Sequence, residues 1–307
     1  MSILEVKDLS ISFNQYTGGL KQRELTVISG LDVSVKKGEI LAIVGASGSG
    51  KSLLAHSILG ILPANANVSG TIEYKGETLT AKRQESLRAS EIALIPQSVN
   101  FLNPLMRVGK QVRSPMNDKA TIAAQREVFK RLHLGQEVED MYPFELSGGM
   151  ARRTLLSTAI VRDAKLIIAD EPTPGLDPVV IKEALQSFRD LADAGRTIVF
   201  ITHDIESALQ IADRIAVFYA GTTLEVASVE DFTGDGSRLR HPYSRALWRA
   251  LPQNDFIPIA GSQPKATGLP PGCLFAPRCA LMIPDCSEVQ PDMRDLREGK
   301  VRCLHAT

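Results

Sequence analysis

Apolar residues in this chain fall into two kinds of run. Residues 3–13, ILEVKDLSISF, set aliphatic side chains at near-alternate positions, which predicts a strand with one covered face. Residues 38–45, GEILAIVG, are apolar without polar alternation, which suits a strand covered on both faces. The second pattern returns in AKLIIADEP (164–172) and RTIVFITHD (196–204), each run ending in charged residues. Between them Ile181, Ala184, Leu185, Phe188 and Leu191 recur at helical spacing, and Gly195 supplies a stop. Strand, helix, strand, helix predicts an α/β fold: a parallel sheet with helices on its faces and ligands at the carboxyl ends of its strands.

Two stretches break this rhythm. From about residue 98 to 158 there is no long apolar run, only a charged helix near 119–134 and Pro and Gly punctuation, which reads as a helical subdomain inserted into a domain of residues 1–232. TGDGSRLRHPYS, beginning at residue 233, reads as a linker into a segment 233–307 that holds nine of the 17 prolines and all four cysteines. Such a segment is too small to build its own core and is expected to need a staple.

Composition narrows the class. Lys plus Arg equals Asp plus Glu at 35 each, so there is no global basic field to hold nucleic acid. No apolar run approaches the roughly 18–20 residues of a membrane span, and the start MSILEVKDLS lacks a signal-peptide layout. The expectation is a soluble, cytosolic chain that reaches a membrane only through a partner. Cysteines in that reducing compartment point to metal or redox chemistry before structural disulfides.

Gly45-Ala-Ser-Gly-Ser-Gly-Lys51-Ser52 matches the Walker A pattern and sits between a buried strand and a helix, as that pattern requires. Its glycines let backbone N–H groups converge on phosphate oxygens at the positive end of a helix. Lys51 adds a point charge for β- and γ-phosphates, and the Ser52 hydroxyl suits Mg²⁺. Asp170 and Glu171 end an apolar strand, where one carboxylate can hold the metal and the other can polarise a water. Taken alone, Asp-Glu-Pro reads as readily as a helix cap or a solvated turn. His203 ends another strand, within reach of a γ-phosphate.

These motifs keep company with LSGG (146–149), 21 residues or so before Asp170, and at that point the sequence resembles the ATP-binding-cassette ATPases. Walker A, Gln97 in LIPQS, LSGG, IIADEPTPGLD and ITHD occur in that family's order from residue 3 to about 230. The resemblance implies a P-loop NTPase core with a parallel central sheet, an N-terminal antiparallel β subdomain, the inserted helical subdomain and a small Cys-rich C-terminal extension. It implies ATP hydrolysis with Mg²⁺. Gly45, Ser47, Gly48, Ser49, Gly50 and Lys51 would cradle the phosphates, and Ser52, Gln97 and Asp170 would serve the Mg²⁺. Glu171 resembles the catalytic base and His203 the switch histidine. Ser147, Gly148 and Gly149 resemble the signature that caps ATP on the opposite subunit, and Asp177 the loop that crosses to it. Phe13 is the expected adenine-stacking aromatic, with Tyr16 as the alternative. Two positions depart from the family: Arg152 stands where relatives usually carry Gln, and Pro174-Gly175 replaces small or hydroxyl residues.

IPQSVNFLNPLMRVGKQV, RHPYSRALWRALP (240–252) and GCLFAPRC resemble the importer ATPases for oligopeptides, dipeptides and nickel. In that group the C-terminal cysteine signature is associated with a 4Fe–4S cluster, so Cys273, Cys279, Cys286 and Cys303 are its expected ligands. Their spacing, C-x5-C-x6-C-x16-C, lacks a C-x2-C knuckle and leaves tetrahedral Zn²⁺ and unligated or paired thiols as alternatives. The implied partners are a second, related ATPase subunit, two transmembrane permeases and an extracytoplasmic solute-binding protein, with the chain peripheral on the cytoplasmic face of the membrane. The alternative reading is a DNA-maintenance ATPase; it predicts a basic surface and long insertions between Walker A and LSGG, whereas the net charge is zero and that gap is under about 100 residues.

Overall fold

In the computed structural model, residues 2–18, 21–88, 90–114, 116–162 and 164–306 are described. Ser2–Gly18 (β1) and Lys21–Lys36 (β2) pair antiparallel, with Val6 opposite Val33 and Ile11 opposite Ile28. The near-alternate pattern slips around Asp8, whose φ is 49°, at one of several register shifts along the pair, the one between Val6 and Leu9. Ile40–Gly45 (β3) follows, buried at every residue, and leads through the glycine-rich loop into Lys51–Leu59 (α1). Ala66–Tyr74 (β4) and Glu77–Thr78 (β5) complete a four-stranded sheet of order β2-β1-β4-β5. Ala81–Arg88 (α2) then leads to Ile92–Ile95 (β6).

Val108–Arg113 (α3), Lys119–Arg131 (α4) and Gly148–Ile160 (α5) fill the stretch expected to be helical. Asp118 caps α4 by accepting from the Thr121 N–H at 2.8 Å. Val108, Val112, Phe129, Leu134 and Val138 make a small core of their own there. Leu166–Asp170 (β7), Pro178–Asp193 (α6), Thr197–Thr202 (β8) and Ile205–Ile211 (α7) come next, and Gly195 follows α6 with a φ of 89°. Arg214–Tyr219 (β9) and Thr222–Ser228 (β10) form a hairpin. Beyond it lie Pro242–Arg249 (α8), Pro284–Glu288 (α9), Arg294–Leu296 (β11) and Gly299–Val301 (β12).

The large sheet has the order β11-β12-β10-β9-β3-β8-β7-β6, parallel from β6 to β9 and antiparallel beyond. Strand β3 explains the absence of polar alternation. Ile40, Ala42 and Val44 join the buried cluster with Ala184, Leu185 and Phe188 of α6. Leu41 and Ile43 face the other way, into a cluster with Leu54 and Ile58 of α1 and with Leu4 and Ile11 of β1. Both faces are covered, so both had to be apolar. Among the described residues no helix is long and apolar enough to cross a membrane.

The C-terminal segment borrows its core instead of stapling one. Cys273, Leu274, Phe275, Ala276 and Cys286 lie in the same buried cluster as β3 and α6. Phe275 packs against Tyr219 and Tyr243 with ring centroids 5.5 and 5.2 Å away. His241 is fully buried beside it, its Nδ1 accepting from the Tyr243 N–H at 3.0 Å. Strand β12 extends the large sheet by pairing with β10. The Arg240 guanidinium is buried between Asp231 and Glu225, and Arg302 donates to Asp32 Oδ2 and to the Gly30 carbonyl, both at 2.7 Å. Proline-rich chain with few aliphatics is thus held by aromatic contacts and by arginines that satisfy carbonyls.

Candidate nucleotide site

Strand β3 ends at Gly45, and the loop to α1 turns through Gly48 and Gly50 with φ of 78° and 93°. A Cβ on Gly45 would stand 2.5 Å from the Phe218 carbonyl oxygen, so the loop can lie against β9 only without a side chain there. Helix α1 begins with no side-chain cap, which leaves its first N–H groups for a ligand. The Lys51 ammonium is buried and donates to the carbonyls of Gly45 (2.8 Å) and Ala46 (3.2 Å). Burial pushes its pKa down, while the Glu171 and Asp170 carboxylates oppose that shift.

Asp170, the last residue of β7, is only 3% exposed. Burial pushes its pKa up; the Ser52 hydroxyl bonded to it pulls down and the Glu171 charge adds to the rise. Its Oδ1 has no partner. Glu171 follows in the left-handed region, φ 48°, a conformation that costs a non-glycine residue about 1–3 kcal/mol. Its backbone is held on both sides: the N–H donates to the Ile201 carbonyl at 2.9 Å, and the carbonyl accepts from Arg152 Nη1 at 3.2 Å. Its carboxylate Oε2 lies 2.7 Å from His203 Nδ1. The left-handed turn is what lifts the Glu171 side chain out of the strand and into the cleft.

That cleft, of about 650 Å³, is lined by Val27, Ala46, Ser47, Gly48, Gly50, Lys51, Ser52, Leu53, Gln97, Glu171 and His203. Of the expected phosphate, metal and base residues, Gly45 and the fully buried Ser49 are not in its lining and Asp170 is buried behind Ser52; the others meet there. Ser147, Gly148 and Gly149 do not line it; they open α5, where Ser147 accepts from the Met150 N–H at 3.3 Å. Asp177 also lies apart and caps α6, accepting from the N–H groups of Val179 and Val180. Phe13 is half-buried against the core shared by α1 and β1, whereas Tyr16 is 68% exposed. Val27 and the Arg152 contact were not foreseen. Arg152 was visible only as an odd residue in its motif, and Val27 carried no signal.

The groups present fit a divalent cation beside a polyphosphate. A buried carboxylate with an unused oxygen, a hydroxyl and an amide side chain are hard oxygen donors of the kind Mg²⁺ takes. The cysteines differ. All four are free thiols, and among the described residues no three His, Cys, Asp or Glu side chains form a group able to hold a metal. The expected 4Fe–4S cluster, and Zn²⁺ as its alternative, are therefore not supported, and neither is a disulfide. Burial pushes the Cys273, Cys279 and Cys303 thiols up.

Comparison with known proteins agrees with this geometry. The ABC transporter family pattern matches residues 28–174, and the pattern "Oligopeptide/dipeptide transporter, C-terminal region" matches 224–286. The chain is 33% identical to the oligopeptide transport ATP-binding protein AppD of Bacillus subtilis, over 99% of its own length and 96% of the relative's. It is 35% identical to OppD of Escherichia coli, covering 98% and 92%. The match to OppD of Mycobacterium tuberculosis, at 36% identity, takes in 98% of this chain but about half (52%) of that longer relative. The fold is that of the dimeric ATP-binding cassette MJ0796 in a post-hydrolysis state with ADP and Pi, at TM-score 0.64 and 24% identity over 74% of this chain and 98% of that one. CbiO1 of Clostridium perfringens matches at TM-score 0.59 and 27% identity, covering 75% and 90%. These matches do not favour the DNA-maintenance alternative. With the glycine-rich loop, Gln97, Glu171 and His203 around one cleft, the chain belongs to the ATP-hydrolysing ABC transporter ATP-binding proteins of the oligopeptide/dipeptide family.

Proposed function

We propose that this chain hydrolyses ATP for a membrane importer of peptides and uses nucleotide-dependent dimerisation to move its permease. The observation that carries the reading is the Glu171–His203 pair, 2.7 Å apart at the mouth of the glycine-rich loop's cleft. The loop N–H groups and Lys51 bind the phosphates. Ser52, Gln97 and Asp170 would hold Mg²⁺, which when bound offsets phosphate charge. Glu171 accepts the proton of the water that attacks the γ-phosphorus, and the bond from that phosphorus to the ADP oxygen breaks. His203 fixes the Glu171 carboxylate for that step.

The separation of Ser147–Gly149 and Asp177 from the cleft supports a site completed by a second protomer, each chain offering its signature to the other's phosphates. We read that protomer as a related ATPase, and the further partners as two permeases and an extracytoplasmic solute-binding protein, with this chain peripheral on the cytoplasmic face. Peptides are favoured over nickel by the relatives' names. For adenine, Tyr16 is the better aromatic, because the Phe13 ring is engaged with the core. The division into an ATPase domain of residues 1–232, with a helical part at about 98–158, and an extension 233–307 belongs to this reading.

The test is Glu171→Gln in the assembled transporter. Turnover falls by about 10²–10⁴, the usual worth of a positioned base, while nucleotide binding is retained and closed dimers accumulate. Wild-type turnover in that variant removes Glu171 from the mechanism.

A further inference from the structure

We propose that Arg152 is a positioning residue for Glu171, tying the start of the signature helix to the base of its own subunit. The inference rests on the reading of Glu171 as that base. Arg152 is half-buried on α5, five residues after the capping Ser147, so a rigid helical stub of about 7 Å separates the two. Its Nη1 donates to the Glu171 carbonyl at 3.2 Å. Its Nε lies 3.8 Å from where a Cβ on Gly175 would stand. The two positions at which the sequence departs from its relatives, Arg152 and the Pro174-Gly175 turn, therefore adjoin in space.

Glu171 needs such a hold. Its φ of 48° places it where an unbranched or branched side chain is strained, and what fixes that turn decides where the carboxylate points. On the N–H side the fixture is Ile201, paired within the parallel sheet. On the carbonyl side it is Arg152, which belongs to α5. Helix α5 is anchored in turn: Ala151, Leu155, Leu156 and Ala159 are buried, and Arg153 donates to the carbonyls of Gly149, Leu132 and His133. A displacement of α5 as a body thus reaches the Glu171 backbone through one charge-assisted hydrogen bond. Occupancy of the signature end by a partner's nucleotide would in this way be felt at the base in the same chain. A Cβ at position 175 would stand in ordinary contact with the guanidinium, and it is the φ of 78° that calls for glycine there.

Arg152→Met keeps the length and the apolar stem but removes the donor, whereas Arg152→Gln keeps an N–H. Both are assayed as full-length chain in the assembled transporter, beside Glu171→Gln. We expect Arg152→Met to lower kcat about tenfold or more, with KM for ATP within about twofold. We expect Arg152→Gln to recover most of the loss, and both melting temperatures to stay within about 2 °C of wild type. Wild-type kcat in Arg152→Met overturns the proposal; so does a loss shared by KM and melting temperature, or one that Gln does not relieve. If Glu171→Gln turns over normally, the underlying base assignment has failed. If it is inactive while Arg152→Met is normal, only the Arg152 role has.

Discussion

Asp170→Asn should make the metal-free protein more stable and the nucleotide-bound protein less so. Asp170 is 3% exposed, is hydrogen-bonded by Ser52, and has one carboxylate oxygen with no partner. A buried polar group left unsatisfied costs about 1–3 kcal/mol, and more when charged. Asn has nearly the same volume and keeps an oxygen for Ser52, while its NH2 takes the unpartnered place, so the substitution removes the charge and not the unsatisfied position. A gain of about 1–2 kcal/mol is expected, which raises the melting temperature by at least about 2 °C in a domain of this size. The pH dependence fixes the cause. Burial holds the folded pKa above the ordinary 3.8, so the favourable contribution is complete below 3.8 and is lost as pH rises through the folded value. Wild type and variant should therefore converge on acidification and stand furthest apart near neutrality. Saturating Mg–ATP reverses their order, because a ligand at about 100 times its Kd adds about 2.7 kcal/mol to the wild type and the variant has lost a metal oxygen. Differential scanning fluorimetry in EDTA and in Mg–ATP, from about pH 3.5 to 8, reads all three effects. A variant that melts below wild type in EDTA, or a gap that ignores pH, refutes the account.

Phe275→Ala should cost about 3–5 kcal/mol and lower a single unfolding transition, since the ring is buried between Tyr219 and Tyr243; a separate early transition for the tail would contradict the shared core. His241 should supply an acid-sensitive element, because burial holds its pKa down to about 3. Stability it permits above its ordinary 6.5 is lost as pH falls toward 3, at roughly 1.4 kcal/mol per unit. His241→Gln should flatten that limb of the pH–stability curve measured by urea unfolding, and an unchanged limb would assign the acid sensitivity elsewhere.

The sequence was most readable where burial was symmetric. Residues 40–45, 166–170 and 197–202 are apolar throughout because both faces of the large sheet are covered, and each became a parallel strand. The phosphate loop was readable because its glycines answer local needs, the positive φ of 78° at Gly48 and 93° at Gly50. What depended on distant pairing was not. Nothing in the local pattern of 294–301 announces strands, which exist because β10 offers an unpaired edge. The cysteines, close in sequence, invited a metal centre, yet Phe275 between them was the residue that docks the segment. The grip of Arg152 on Glu171 joins residues 19 apart through a backbone carbonyl, a partner that leaves no trace in residue identity.

Arg302 closes on Asp32 and on the Gly30 carbonyl across some 270 positions of chain. On the ribosome the N-terminal sheet therefore emerges long before the side chain that clasps it. Until then Asp32 keeps its bond from the Asp8 N–H but lacks the guanidinium, so the nascent protein passes through a stage in which β2 is without that anchor. That clasp cannot close until residue 302 has been made.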